Sequence, residues 1–234
     1  LGLDRVLTDL LRDRGFEFPV ERAVYLTVLH RLFESGSDRA ADKWRRDVSV
    51  PGAENLGLHH LYRAMRWLGD HKDAVEETLF RRRRNLFTDL SLAFFGTTSL
   101  PAAEVAVQYK RLYLVEQLFR AAKSRVDTRP IFHQWDATIK GQVCCSFLAL
   151  VLLDELKRRL SQRGWQLEWA DIRRDLAALM EIEVRQGEDW YYLRTALQGV
   201  AGKALQAAGV AIPPAVRPIP ENAVPKDKSA HTTI

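Results

Sequence analysis

Apolar residues recur along the first ninety positions at the three- and four-residue spacing that lines up one face of an α-helix. Residues 3–14 place Leu3, Val6, Leu7, Leu10 and Leu11 on such a face, and Gly15 ends the run. Pro19 opens a second helix, through Val24, Leu26, Val28, Leu29 and Leu32 towards Gly36, because a proline costs no hydrogen bond in a first turn. Ser37 suits the N-cap of a short basic helix that carries Lys43, Arg45 and Arg46, with Trp44 as its apolar anchor. Residues 56–68 form another amphipathic helix, with Leu58, Leu61, Ala64, Met65 and Leu68 facing inward. A further helix is predicted over 73–87, ending on Arg81, Arg82, Arg83 and Arg84.

The pattern changes at residues 90–99, where Leu92, Ala93, Phe94 and Phe95 read as a strand. Helical spacing returns over 109–123 and over 135–163, the latter apolar nearly all round between Val143 and Leu153, which implies burial on several sides. A helix over 169–180 follows. Residues 181–185 and 190–195 then form a hairpin about Gln186, Gly187, Glu188 and Asp189. A short helix over 198–208 closes at Gly209, and the proline-rich residues 212–234 read as a disordered tail.

Composition adds little to this picture. A formal charge of +5 over 234 residues is compatible with a nucleic-acid partner but modest for this length. The two cysteines, Cys144 and Cys145, are adjacent on a helix, so they point about 100° apart and read as buried, inert thiols. His59 and His60 lack a third ligand at helical spacing for a zinc site. The longest apolar stretch, 143–153, is about half of a bilayer span, and no signal-peptide pattern opens the chain. The expectation is a cytoplasmic protein with no membrane partner.

Chemistry concentrates on the helix over 109–123. Tyr109, Glu116 and Lys123 are seven residues apart, and seven residues turn through roughly 700°, so the three form one stripe. Leu112 and Phe119 share that side, which sets a carboxylate on a face meant for packing. Such a group is expensive to bury unless a cation meets it. Arg120, four residues on, is a ready partner, so the plain reading is a helix ion pair.

The functional reading comes from a resemblance. Tyr109, Glu116 and Lys123 match the glutamate-bearing helix of the DDE transposases of bacterial insertion sequences, in the group with a Tyr-Arg-Glu-Lys signature. Leu112 stands at the arginine position, with Arg111 beside it. Thr128-Arg129-Pro130-Ile131-Phe132-His133 resembles the stretch that follows this helix in such enzymes, and the likeness covers most of the chain, including Leu193-Arg194-Thr195.

That resemblance implies a ribonuclease-H-like α/β fold and DNA strand cleavage and transfer on two divalent ions, Mg²⁺ or Mn²⁺, about 3.5–4 Å apart. Two Asp and one Glu hold the ions in the family. Here Gly96 stands where the first Asp belongs, in Gly96-Thr97-Thr98-Ser99-Leu100, and the chain then passes directly to Pro101-Ala102-Ala103-Glu104. The segment carrying the second Asp has no counterpart. The expectation is an internally deleted, inactive transposase in which Glu116 is the surviving metal-ligand candidate and tight metal binding is lost. Lys123 and Tyr109 would hold the substrate strand and orient the helix.

The implied organisation is a helical, DNA-binding region over 1–89, an orphaned first core strand over 90–100, the end of a catalytic domain over 101–211 and a tail over 212–234. The fold class expected is mainly α with a small β component, a remnant of the ribonuclease-H-like fold. DNA ending in terminal inverted repeats is the implied partner, with self-association or pairing with an intact transposase. Lys43, Arg45, Arg46, Arg81, Arg82, Arg83, Arg84 and Arg120 are the candidate DNA contacts. Residues 20–46 outline a helix-turn-helix, against which stands the plain reading of two core helices with a solvated face. The four consecutive arginines serve equally to complement a helix C-terminus or to grip phosphates. A non-catalytic DNA-binding regulator is the alternative function.

Overall fold

The computed structural model describes residues 2–12, 15–83, 133–212 and 214–220. Helix accounts for 59% of it and one three-stranded antiparallel sheet supplies the β structure, so the protein is mainly α with a small β component. The chain divides into two compact units, Leu1–Glu155 and Leu156–Ile234. The expected helix over 109–123 and the strand over 90–99 lie outside the described residues.

Helices α1 (Leu3–Leu11), α2 (Val20–Phe33), α3 (Asp38–Trp44), α4 (Leu58–Asp70) and α5 (Lys72–Arg83) belong to the first unit. Helix α6 (Asp136–Gln162) begins there. Val6 and Leu7 are the buried side chains of α1, and full burial of a side chain of this size stabilises by about 1.5–3 kcal/mol. Helix α2 is the centre of the unit, with Val20, Ala23, Val24, Leu26 and Val28 almost wholly enclosed. Of the inward face expected for α4, Leu61, Ala64, Met65 and Leu68 are buried, while Leu58 in the first turn is half-buried.

The α4–α6 crossing is set by two glycines. A Cβ on Gly69 would lie 1.7 Å from the Ala137 carbonyl oxygen, and one on Gly141 would lie 1.9 Å from that of Met65. The two helices therefore meet backbone to backbone, with Cα–H groups facing carbonyls. Cys144, Cys145, Leu148 and Ala149 are buried further along α6, but Val143 and Phe147 are 45% and 43% exposed. Burial on several sides, as the apolar run implied, is found, and one strip of α6 faces outward. Helix α6 is long and apolar enough to cross a membrane, yet 56% of its most apolar stretch is buried within the fold, as in a core helix.

In the second unit, α7 (Trp169–Ala177) precedes β1 (Glu181–Gln186) and β2 (Asp189–Arg194), and α8 (Ala201–Ala208) precedes β3 (Val216–Pro218). The β1–β2 pairing runs from Glu181 opposite Arg194 to Gln186 opposite Asp189. Only Gly187 and Glu188 are left for the turn, a tighter one than the four residues expected. Gly187, at φ +66, supplies the left-handed conformation that the turn needs.

Strand β3 pairs with β2, Tyr191 opposite Pro218 and Leu193 opposite Val216. The tail expected from residue 212 onward therefore includes an ordered strand. Pro218 is tolerated because β3 lies at an edge and needs no donor on its outer side. Ile219 is buried beside it and donates its N–H to the Trp190 carbonyl at 2.8 Å.

Asp175 ties α7 to the start of α8 by accepting the Val200 N–H at 2.8 Å. Gly199, at φ +49, brings the backbone so close that a Cβ would lie 1.9 Å from Asp175 Oδ2. Gly199→Ala is expected to cost about 2 kcal/mol or more, from left-handed strain plus the displaced carboxylate. Urea unfolding of the variant checks this.

Candidate nucleic-acid interface

The turn between α2 and α3 is built from residues 34–37. Glu34 and Ser35 N–H groups both donate to the His30 carbonyl at 2.8 Å, and Ser35 and Gly36 take φ of 64 and 115. The Ser37 hydroxyl then accepts the Ala40 N–H at 3.2 Å, the N-cap expected at this position. Trp44 anchors α3 by meeting the His30 ring edge-on at 5.6 Å between centroids.

Helix α3 ends at Trp44, so of the expected basic set only Lys43 lies on it; Arg45 is its C-cap and Arg46 lies in the turn beyond, which corrects the expected extent of the helix. Lys43 and Arg46 are exposed, and Arg46 lies 3.7 Å from Asp42. Arg45 is half-buried, pairs with Asp42 at 2.9 Å and points an Nη1 donor at the Glu54 carbonyl. Arg45 therefore braces the loop after α3, and Lys43 and Arg46 are the two of the set placed to reach a phosphate.

Arg81 is exposed on α5 and paired with Glu77 one turn back. Arg82 and Arg83 belong to the same helix, and their side chains lie outside what is described. Arg84, Tyr109, Glu116, Arg120 and Lys123 lie outside the described residues altogether. The structure thus brings Lys43, Arg45 and Arg46 together at the C-terminal end of α3, Lys43 in its last turn and the two arginines just after it.

His133, the last residue of the motif stretch, is described. Its Nε2 lies 3.2 Å from Asp38 Oδ2, with both side chains almost fully buried. Asp38 is the first residue of α3, so the chain entering α6 is held against the start of that helix. His30 and Arg31 at the end of α2 are also buried, at 2% and 1% exposure. Burial pushes the His30 imidazole down to about 4, the neighbouring Arg31 charge adds to that, and Asp38 opposes it. His30 is consequently neutral at pH 7.

Sequence reasoning missed this buried group. His30 and Arg31 look like ordinary basic residues of a last helical turn, and Asp38 like an ordinary acid of a first turn. One signal was available: all three flank the same turn, where the ends of α2 and α3 must come together.

The cysteines are free and buried, and burial raises both thiols, Cys144 to about 12 and Cys145 further. Neither is a nucleophile at neutral pH. His60 accepts the Gly57 N–H at Nδ1, 2.9 Å away, and stacks on Phe18, so it caps α4. Among the described residues no three His, Cys, Asp or Glu side chains converge as a metal site. Comparison with protein-family models, with curated proteins and with solved structures returns no match.

Proposed function

We propose that this chain is a transposase-family protein of an insertion sequence that keeps DNA-contacting helices but lacks a complete set of metal-binding carboxylates. The observation that carries the reading is the ordered series Gly96-Thr97-Thr98-Ser99-Leu100, Tyr109, Glu116, Lys123 and Arg129 to His133. Gly96 offers no side-chain oxygen, and a hard dication pair needs several. Glu116 is then the remaining ligand of a ribonuclease-H-like site for Mg²⁺ or Mn²⁺. One carboxylate cannot hold two ions in place to activate an attacking oxygen and steady the leaving one. On this reading the mainly helical fold is what remains after loss of most strands of the parent sheet, and the protein is cytoplasmic.

The binding role is that of a non-catalytic regulator, occupying the element's terminal inverted repeats or joining intact transposase subunits as an inactive partner. Support comes from α3, a capped helix after a tight turn that exposes Lys43 in its last turn, with Arg46 exposed just past its end. Fluorescence-anisotropy titration against terminal-repeat and unrelated duplexes at one salt concentration tests it. The expected result is a preference of about 10³-fold for the repeats, reduced in affinity by Lys43→Gln with Arg46→Gln. Equal affinity for both duplexes would remove the regulator.

A further inference from the structure

Among the described residues, three large apolar side chains stand exposed inside helices: Tyr62 on α4, and Val143 and Phe147 on α6. Tyr62 has a neighbour, the His133 ring, which it meets edge-on at 5.9 Å between centroids. Val143 and Phe147 lie one turn apart in the middle of α6, beside buried Gln142, Cys144, Ser146 and Leu148. A phenylalanine left half in water there forgoes the stabilisation that full burial of so large a side chain brings.

The exposed strip is symmetric about that residue. Successive helical positions turn by about 100°, so Lys140, Val143, Phe147, Val151 and Asp154 fall within an arc of about 80° centred on Phe147. Lys140 and Asp154 are exposed, and Val151 is half-buried. Gly141, where α4 meets α6 backbone to backbone, points about 120° away from Phe147, so the strip lies clear of that packing. The steps between the five positions are three, four, four and three residues, the same read in either direction. Turned end for end, the strip therefore matches itself. Phe147 falls on Phe147, Val143 on Val151, and Lys140 on Asp154. Apolar groups meet in the middle and opposite charges meet at both ends.

We infer that this strip of α6 pairs with the same strip of a second copy of the chain, antiparallel and about a two-fold axis through Phe147. A two-fold contact uses one patch twice, so the patch must complement itself, and this one does in both shape period and charge. A parallel pairing would set Lys140 on Lys140 and Asp154 on Asp154, and like charges at such flanking positions select against that orientation. All five residues belong to the first unit, so the contact needs nothing from the second. It also stands apart from the DNA-binding reading and neither supports nor requires it. The patch is small for a specific interface, which makes the dimer weak, with a Kd on the order of 10–100 µM.

The test is sedimentation velocity of the full chain at low salt, from about 2 to 400 µM, which brackets that Kd. The wild type passes from monomer to dimer over this range, and Phe147→Ala stays monomeric. Lys140→Glu and Asp154→Lys each make both end contacts repulsive and weaken pairing about tenfold or more. Both positions are exposed, so the thermal unfolding midpoint of each variant stays near that of the wild type. Mixed in equal amounts, these two variants pair with one another, because opposite charges then meet at both ends. Only the antiparallel register gives that recovery. A wild type that stays monomeric throughout overturns the inference, as does association that survives Phe147→Ala. A mixture that recovers nothing overturns it too. Binding to phosphatidylcholine vesicles that depends on Phe147, with no association in solution, assigns the strip to a lipid surface and also overturns it.

Discussion

Gly141→Ala is expected to cost the first unit about 3 kcal/mol or more, and Gly69→Ala a similar amount. A methyl group at either position would meet a backbone carbonyl of the facing helix, 1.9 Å away at Gly141 and 1.7 Å at Gly69. Carbonyls cannot rotate aside as a flexible side chain can, so α4 and α6 must separate. Separation opens gaps around Met65 and Leu68, which are fully enclosed. Overpacking a tight site usually costs about 1–3 kcal/mol, and values above that follow when the backbone itself has to move. Gly202→Ala is the control. It is also a helical glycine, but its nearest non-neighbour atom to a Cβ is 3.9 Å away, so the change is expected to stabilise by about 0.5–1 kcal/mol through helix propensity. Urea unfolding of the three variants separates the effects. Equal, small changes in all three would mean that the helices do not cross in contact.

The second large effect is on acid stability. His30 is held neutral in the fold at about 4, against an ordinary value of 6.5. A depressed histidine contributes stability that is complete above pH 6.5 and is lost as pH falls towards 4, because the unfolded chain takes up the proton first. The full loss across that window is up to about 3 kcal/mol. His30→Gln, which cannot titrate, is expected to show a stability deficit relative to wild type at pH 7 that narrows by about this amount at pH 4. Carboxylates titrate in both proteins and cancel in the difference. A deficit that stays constant between pH 7 and 4 would show that His30 is not held neutral.

The legible parts of the chain were those decided locally. Ser37 at its cap, Pro19 before α2, and Gly209 at φ +78 closing α8 are each set by backbone chemistry within one turn. The inward faces of α1 and α4 follow from spacing alone. What sequence could not supply is the identity of neighbours. A glycine inside α4 or α6 reads as a weak point until the two are seen touching, when it becomes the reason they touch. Val143 and Phe147 look as buried as Leu148, since a run of apolar residues does not say which strip has no partner. Val216–Pro218 was hidden by its prolines, because composition argues against a strand that an edge position permits.

For the candidate site the division is similar. Spacing singled out Lys43, Arg45 and Arg46 as a group, but only tertiary placement distinguishes Arg45, turned inward to Asp42 and the Glu54 carbonyl, from its exposed neighbours.

The most direct test of the account is a donor-cleavage and strand-transfer assay on element-end DNA with Mg²⁺ or Mn²⁺, run on the wild type and on Glu116→Ala. The account predicts that both proteins give only background product, because Gly96 and the missing segment leave too few oxygens for two cations. Product that forms with the wild type and vanishes in Glu116→Ala would contradict it, since a working pair of ions would then be held by ligands that this reading does not contain.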